Sequence, residues 1–300
     1  MTVSQSRRSD TDASRDATDT VRLGVIDYLN VVPVYDWLLR QERELGTLPG
    51  VRTVRGVPAE MNRALAAGEI DISNVSSFAF GTHVDDWLLV PRLSVAADGR
   101  VDSVLLFSWH RDWRELDGGS IALTSHSATS VALVRLLCEQ RWGIRPRLVT
   151  EAPDLDSMLA RHDGALLIGD TALVEGTRRR EIAGRGRPYV FDLAREWKDW
   201  TGLPFVFAVW AARRVRVSAL RASGVVDLLR VSREHGVADL DRIARAAAER
   251  VGLSQGVCRA YLDLLDYQLT AEHLRGLRFF LERALPGFTW DRVMTLNDYD

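Results

Sequence analysis

Hydroxyl side chains are concentrated in the segment TSHSATS, residues 124–130 of this 300-residue chain. The segment follows an apolar stretch typical of a strand and leads into a predicted helix that begins near Ala128. The free N–H groups at a helix N-terminus, together with the hydroxyls of Ser125, Ser127 and Thr129, can bind a carboxylate or a phosphate. The simpler alternative is that Ser127 only caps the helix, as serine commonly does at this position.

A second hydroxyl-rich turn, SNVSS at 73–77, has the same arrangement. Asn74, Ser76 and Ser77 follow a predicted strand at 70–73 and lead into a predicted helix at 76–83. Two such turns at helix starts strengthen the prediction that the protein binds a small anion.

Further polar residues next to predicted strands could face the same ligand, although each has an ordinary structural explanation. Asn30 follows the first strand, where asparagine is also a common turn residue. Ser103 begins a buried strand and could be a hydrogen-bonded core serine. Asp170, after Gly169 in the segment IGDT, could cap a helix or hold a ligand hydroxyl. His126 could act as a base, but a histidine in a surface loop is the more ordinary interpretation.

The chain lacks the motifs of several cofactor-dependent enzyme classes. There is no GxGxxG, GxxxxGK[ST] or HExxH, and histidines and acidic residues do not meet at metal-ligand spacing. Cys138 and Cys258 lie on apolar faces of predicted helices, so we expect them in the core rather than in a disulfide or a zinc site. We therefore expect a site for a small anion that uses neither a cofactor nor a metal.

An alternating framework of strands and helices is needed to bring these turns together. Its first three strands alternate with helices as β-α-β-α-β, which is typical of a parallel sheet covered by helices. Apolar strands are predicted at 23–26, 51–54, 70–73, 103–110, 120–123, 147–149, 164–168 and 205–211, and amphipathic helices at 217–234, 237–251, 254–267 and 270–284.

The strands near 103–108 and 205–211 are predicted to connect two lobes. The chain is thus predicted to be an α/β two-lobed clamshell, with a first lobe of residues 21–104 plus 209–300, which includes the C-terminal helices, and a second lobe of residues 105–208. Open α/β sheets bind ligands at the carboxyl ends of their strands, which would place the polar turns in one cleft between the lobes.

Composition excludes several other classes of protein. The 39 basic and 41 acidic residues nearly balance, so no surface for nucleic acid is indicated. Residues 1–20 are polar and lack the apolar centre of a secretory signal, and no run of eighteen apolar residues follows. We expect a disordered tail on a cytoplasmic protein that has no membrane segment.

Six segments resemble the chorismate dehydratase family of the futalosine route to menaquinone. They are GVIDYLNVVPV, GVPAEMNRALAAGEIDISNVSSFAF, DSVLLFS, IALTSHSATSVALVRLL, LLIGDTAL and DLAREWKDWTGLPFVFAVWA, which occur in this order, and the match as a whole covers nearly the entire chain from about residue 22 to 290. The resemblance implies a type II periplasmic-binding-protein fold and a reaction without metal or organic cofactor, in which chorismate loses water to give 3-[(1-carboxyvinyl)oxy]benzoate.

The resemblance also implies roles for particular residues. The catalytic asparagine of the family falls on Asn30, and a functional serine falls on Ser103. The ligand-binding turns match SNVSS and TSHSATS, so we expect the substrate, a dianion, to contact residues in these turns and in IGDT: Asn74, Ser76, Ser77, Ser125, Ser127, Ala128, Thr129, Gly169 and Asp170. Asn30 and Ser103 are expected to hydrogen-bond the departing ring hydroxyl, and the enolpyruvyl carboxylate of the substrate is a candidate for the base.

Two alternatives remain at this point. One is 1,4-dihydroxy-6-naphthoate synthase, the sister enzyme of the same pathway, which uses a histidine. The other is a non-catalytic protein that binds or senses a small anion.

Overall fold

The computed structural model describes residues 20–182 and 184–297, and these residues form two five-stranded sheets with helices on their faces. The predicted disordered tail, residues 1–20, lies outside the described residues except for Thr20. We call each sheet with the helices packed on it a lobe.

The first lobe contains a mixed sheet. In spatial order its strands are β2 (Val51–Gly56), β1 (Val21–Ile26), β3 (Ile72–Ser76), β10 (Phe205–Arg213) and β4 (Trp87–Ala97). β1 is parallel to both β2 and β3, which confirms the predicted β-α-β-α-β unit, and β10 is antiparallel to β3 and β4. The connecting helices are α1 (Val32–Leu45), α2 (Pro58–Ala67) and α3 (Ser77–Thr82).

The second lobe repeats this plan. Its strands, in spatial order, are β7 (Arg147–Glu151), β6 (Ser120–Thr124), β8 (Gly164–Ile168), β5 (Val104–Ser108) and β9 (Tyr189–Asp192). β6 is parallel to β7 and β8, and β5 is antiparallel to β8 and β9. The helices are α4 (Ala128–Leu136), extended by a π-helical turn (Leu137–Trp142), α5 (Leu155–Arg161), α6 (Gly169–Arg178) and α7 (Leu193–Thr201).

The C-terminal part is helical, as predicted. It contains α8 (Val217–Ser223), α9 (Val225–Ala238), α10 (Leu240–Val251), α11 (Gln255–Leu262) and α12 (Ala271–Ala284). Ser254 and Thr270 cap α11 and α12 through their side-chain oxygens. The segment GLSQG at 252–256 has the GxSxG spacing of serine hydrolases, but Ser254 joins two helices and not a strand to a helix.

Close packing fixes the C-terminal helices onto the first lobe. α9 lies against α1, and Gly236 is required there because a Cβ would overlap the carbonyl of Pro33. The Oγ of Ser232 accepts a hydrogen bond of 3.1 Å from Leu38 N in the same contact. Both predicted core cysteines, Cys138 and Cys258, are buried.

A cluster of aromatic rings joins α7 of the second lobe to the first lobe. Trp197 is fully buried, and its ring meets those of Phe205, Phe279 and Phe280 edge to face at centroid distances of 5.1, 5.5 and 6.1 Å. These contacts lie beside the two chain segments that cross between the sheets, so they connect the lobes at the hinge.

The strands refine the predicted lobe boundaries. Val104 pairs with Ile168 in the second sheet, whereas Phe205 pairs with Ala97 in the first. We therefore propose boundaries in the strand-free segments 98–103 and 202–204 in place of 104/105 and 208/209.

Several elements are absent from the sequence prediction. β4 contains Pro91 and Arg92, and the φ of Arg92 is 67°. Both residues interrupt the pattern of a strand. They are tolerated because β4 lies at the edge of its sheet. β9 and α7 are further additions, and α6, which the sequence indicated only through the possible cap at Asp170, extends to Arg178. Among the described residues, no helix is both long and apolar enough to cross a membrane.

Candidate active site

A cavity of about 650 Å³, open to solvent, lies between the two lobes. The carboxyl ends of β1, β3 and β8 and the helix that follows β6 all reach it, as expected for open α/β sheets. Its polar lining consists of Asn30, Asn74, Ser76, Ser103, Ser127, Ser130 and the ring of Tyr28, and the rest is mainly aliphatic or aromatic.

The first lobe contributes two amide side chains. Asn30 lies in a single 3₁₀ turn (Leu29–Val31) between β1 and α1, and Pro33 begins the helix directly after it. Asn74 and Ser76 are two residues apart on β3, so they project from the same face of the sheet into the cavity. Asn30, predicted from the end of β1, and Asn74 and Ser76, predicted from the end of β3, thus all lie at the cavity.

Two polar atoms of this group are buried and have no hydrogen-bond partner in residues 20–182 and 184–297. They are the Oδ1 of Asn30 and the Nδ2 of Asn74. Because buried polar groups in proteins are almost always paired, two unpaired amide atoms lining one cavity indicate a place where a ligand supplies the missing partners.

The second lobe contributes the start of α4. Ser127 caps this helix by accepting a hydrogen bond of 3.1 Å from Ser130 N, which confirms the capping role, and its hydroxyl also lies 3.0 Å from that of Ser130. Both hydroxyls line the cavity at the positive end of the helix dipole. Ser130 was missed by the sequence analysis, although its position one helical turn after Ser127 is a usable signal.

Gly169 brings the second lobe close to Tyr28. Its φ is 62°, a conformation that favours glycine. A Cβ at this position would lie 3.3 Å from the Tyr28 ring. The backbone N–H of Gly169 donates a 2.7 Å hydrogen bond to the carbonyl of Ser103, so the start of α6 is tied to the segment that crosses between the lobes.

Ser103 lies at the entrance to β5 and is buried. Its Oγ accepts a hydrogen bond of 2.9 Å from the hydroxyl of Tyr261 on α11. Two backbone N–H groups just before it, from Val101 and Asp102, donate to Asp192 Oδ2 at 2.8 and 2.7 Å. The serine is therefore held by contacts from both lobes.

The cavity lining carries no formal charge among the described residues. Tyr28 is its only titratable member, and burial, with a smaller contribution from the charge of Asp170, raises the pKa of its phenol. Tyr28 is thus protonated at neutral pH and is not a base. The arrangement can bind an anion through neutral donors but offers no protein side chain to remove a proton.

Five predicted binding residues do not line the cavity. Ser77 is buried and donates to Val206 O at 2.6 Å, and Thr129 Oγ1 accepts from Phe78 N at 2.9 Å. Ser125 and Ala128 are exposed on the outer side of their turn. Asp170 Oδ1 accepts from Leu29 N at 3.2 Å and its Oδ2 accepts from Arg250 at 3.1 Å.

Tyr28, Phe207 and Ser130 are cavity residues that the sequence analysis missed. Tyr28 lies two residues before Asn30 in DYLN, so it could have been predicted from the sequence. The side of the sheet on which Phe207 lies, in contrast, depends on how β10 pairs with its neighbours. His126 is exposed and lies outside the cavity. Within residues 20–182 and 184–297, no group of three histidine, cysteine or acidic side chains could hold a metal ion.

Among known proteins, the chain matches one family and is similar to two named relatives. The family described as menaquinone biosynthesis matches residues 21–285. A chorismate dehydratase of Thermus thermophilus is 38% identical over 269 residues, which cover 87% of this chain and 93% of the relative. A chorismate dehydratase of Campylobacter jejuni is 28% identical over 62% of this chain and 64% of its own.

Solved structures that share the fold include a binding protein. The periplasmic aliphatic sulphonate binding protein of Escherichia coli superposes with a TM-score of 0.61, 15% identity, and coverage of 87% of this chain and 90% of its own. At this identity the likeness concerns the fold alone, and it agrees with the predicted two-lobed periplasmic-binding-protein-like architecture.

Proposed function

The chain belongs to the menaquinone biosynthesis family, and on that premise we propose that it is a chorismate dehydratase, a hydro-lyase that converts chorismate to 3-[(1-carboxyvinyl)oxy]benzoate and water. The relatives that carry this name support the proposal. The structural observation behind it is the uncharged interlobe cavity in which Asn30 Oδ1 and Asn74 Nδ2 are buried without partners. The cytoplasmic location stays a prediction.

The two carboxylates of chorismate require donors on both sides of the cavity. Ser127 and Ser130, at the start of α4, provide hydroxyls next to the positive helix end, which stabilises an anion. Asn74 Nδ2 and the hydroxyl of Ser76 provide donors from the first lobe. One carboxylate at each group would hold the ring between the lobes and keep them closed.

Elimination breaks the C–O bond to the ring hydroxyl and the C–H bond at the carbon that carries the enolpyruvyl ether. We assign the amide Nδ2–H of Asn30 and the hydroxyl of Ser103 to the departing hydroxyl, since both are neutral donors on residues that line the same cavity. A positioned donor that meets charge as it develops contributes on the order of 3 kcal/mol to the transition state. Formation of the aromatic ring makes the reaction favourable, so the main task of the protein is to select this elimination.

The proton acceptor is assigned to the substrate. Because the described lining contains no carboxylate or imidazole and Tyr28 is protonated, the enolpyruvyl carboxylate is the nearest available base, and the proton then leaves with the hydroxide as water. An analogue in which this carboxylate is an amide should bind but not eliminate. Normal turnover of the amide would exclude substrate assistance.

Incubation of the purified protein with chorismate, followed by mass spectrometry, tests the proposal against its alternatives. Formation of the benzoate supports the dehydratase. Chorismate that binds but is recovered unchanged would indicate a binding or sensing protein. Activity only on the substrate of 1,4-dihydroxy-6-naphthoate synthase would indicate the sister enzyme, which the exposed position of His126 disfavours.

A further inference from the structure

Tyr261 reaches the candidate active site from a distant part of the chain. It lies on α11, 158 residues from Ser103, and its side chain is buried. Its hydroxyl lies 2.9 Å from Ser103 Oγ, and this is the only hydrogen bond that either hydroxyl makes among the described residues. Ser103 lines the cavity, whereas the hydroxyl of Tyr261 stands behind it.

The direction of this hydrogen bond follows from what each hydroxyl can reach. If Ser103 were the donor, the hydrogen of the Tyr261 phenol would be buried without an acceptor, which is costly. With Tyr261 as donor, the phenol hydrogen is bonded and the hydroxyl hydrogen of Ser103 is free to point into the cavity. Burial also raises the pKa of Tyr261 well above its usual range, so the phenol keeps its proton.

The backbone of Ser103 is held independently of this contact. Its carbonyl accepts from Gly169 N, and the N–H groups of Val101 and Asp102 are bound by Asp192. The hydroxyl of Ser103 could therefore still rotate, and the hydrogen bond from Tyr261 prevents that rotation.

We propose, building on the proposed dehydratase function, that Tyr261 is a positioning residue that makes Ser103 a hydrogen-bond donor toward the departing hydroxyl of the substrate. A donor fixed in this direction stabilises negative charge on the leaving oxygen without reorienting during the reaction. A serine free to rotate would present a lone pair for part of the time, which repels that charge.

Tyr261→Phe tests this inference because it removes only the phenol oxygen and keeps the ring. We expect kcat for chorismate to fall roughly five- to tenfold, the scale of one hydrogen bond, with KM changed by less than about twofold. Tyr267→Phe is the matched control, since Tyr267 is a second buried tyrosine nearby whose hydroxyl has no partner within the described part of the chain. Its kcat and KM should equal those of the wild type, and thermal unfolding of both variants verifies that they fold.

A double-mutant cycle separates positioning from a general structural role. If Tyr261 acts through Ser103, Tyr261→Phe has no further effect on kcat in a Ser103→Ala background. An equal loss in both backgrounds, or a Tyr261→Phe enzyme as fast as the wild type, would overturn the inference while the dehydratase function stands. A wild-type protein that leaves chorismate unchanged would overturn both.

Discussion

The carboxylate of Asp170 in the second lobe accepts a hydrogen bond of 3.2 Å from the backbone N–H of Leu29 in the first. Arg250 on α10 binds the other carboxylate oxygen and also the carbonyl of Asp27, at 3.1 and 3.0 Å. One acidic side chain thus joins the second lobe to the turn that carries Asn30. This contact lies outside the cavity and connects the two lobes.

Replacement of Asp170 by alanine should weaken lobe closure. Leu29 N and Arg250 lose a shared acceptor, so we expect KM for chorismate to rise roughly tenfold, with a smaller change in kcat. Steady-state kinetics measure this change, and small-angle X-ray scattering should show a larger radius of gyration. Asp227→Ala is the control, because Asp227 is an exposed acid on α9; an Asp170→Ala enzyme with the kinetics of this control would contradict the role in closure.

Asn30→Ala should reduce turnover far more than stability. Its Oδ1 has no partner among the described residues, so the substitution breaks no hydrogen bond of that atom, whereas loss of the amide Nδ2–H assigned to the leaving hydroxyl should lower kcat by about 10²- to 10³-fold. The control is Asn62→Ala, since Asn62 Oδ1 is also buried and unpartnered but lies outside the cavity lining. Equal kcat values for the two variants would remove Asn30 from the mechanism.

Thr129→Val should lower stability through a contact between the lobes. Thr129 Oγ1 accepts from Phe78 N at 2.9 Å, and valine keeps the volume but leaves that N–H unpaired, so the free energy of unfolding should fall by about 1–3 kcal/mol. Urea denaturation measures the change. Thr177→Val provides the comparison, because Thr177 only donates to Leu173 O within its own helix. A Thr129→Val protein as stable as this comparison would show that the contact is not needed.

Acid should destabilise the protein in part through Asp71. Burial would raise the pKa of this carboxyl, but hydrogen bonds from Arg22 and the charges of Arg216 and Arg22 outweigh burial and lower the pKa. Because the folded-state pKa lies below the unfolded value of about 4, the contribution of Asp71 to stability is present above that pH. It is lost as the pH falls through the folded-state pKa.

Asp71→Asn should therefore cost on the order of 3 kcal/mol at neutral pH, since the fully buried carboxylate that pairs with Arg22 is removed. The same variant should lose less stability than the wild type between about pH 5 and pH 2. Unfolding measured across this range checks both effects. Parallel stability curves for the two proteins would contradict the assignment.

Strand ends were the part of the site most accessible to sequence analysis. Asn30, Asn74, Ser76 and Ser127 each follow or end a parallel strand, and because such ends meet at one edge of a sheet, the structure brings all four to one cavity. The sequence did not show which of two adjacent serines faces the ligand. Ser76 ends β3 and lines the cavity, whereas Ser77 begins α3 and donates to Val206 O, and the sequence does not show at which serine the strand changes to the helix.

Contacts between distant segments could not be predicted from local sequence patterns. Tyr261 on α11 meets Ser103 only because the C-terminal helices pack across the lobe junction, and no spacing in the sequence encodes that pairing. Thr129 illustrates the same limit, since its hydroxyl accepts from α3 in place of a ligand. Strand β4 was missed because Pro91 interrupts its apolar pattern, which an edge strand tolerates.

Chorismate labelled with deuterium at the ring carbon that bears the enolpyruvyl ether follows the proposed elimination itself. We expect the wild-type protein to convert it to 3-[(1-carboxyvinyl)oxy]benzoate without the label, in an amount equal to the chorismate consumed. Recovery of unchanged chorismate, or a product that retains the deuterium, would contradict it.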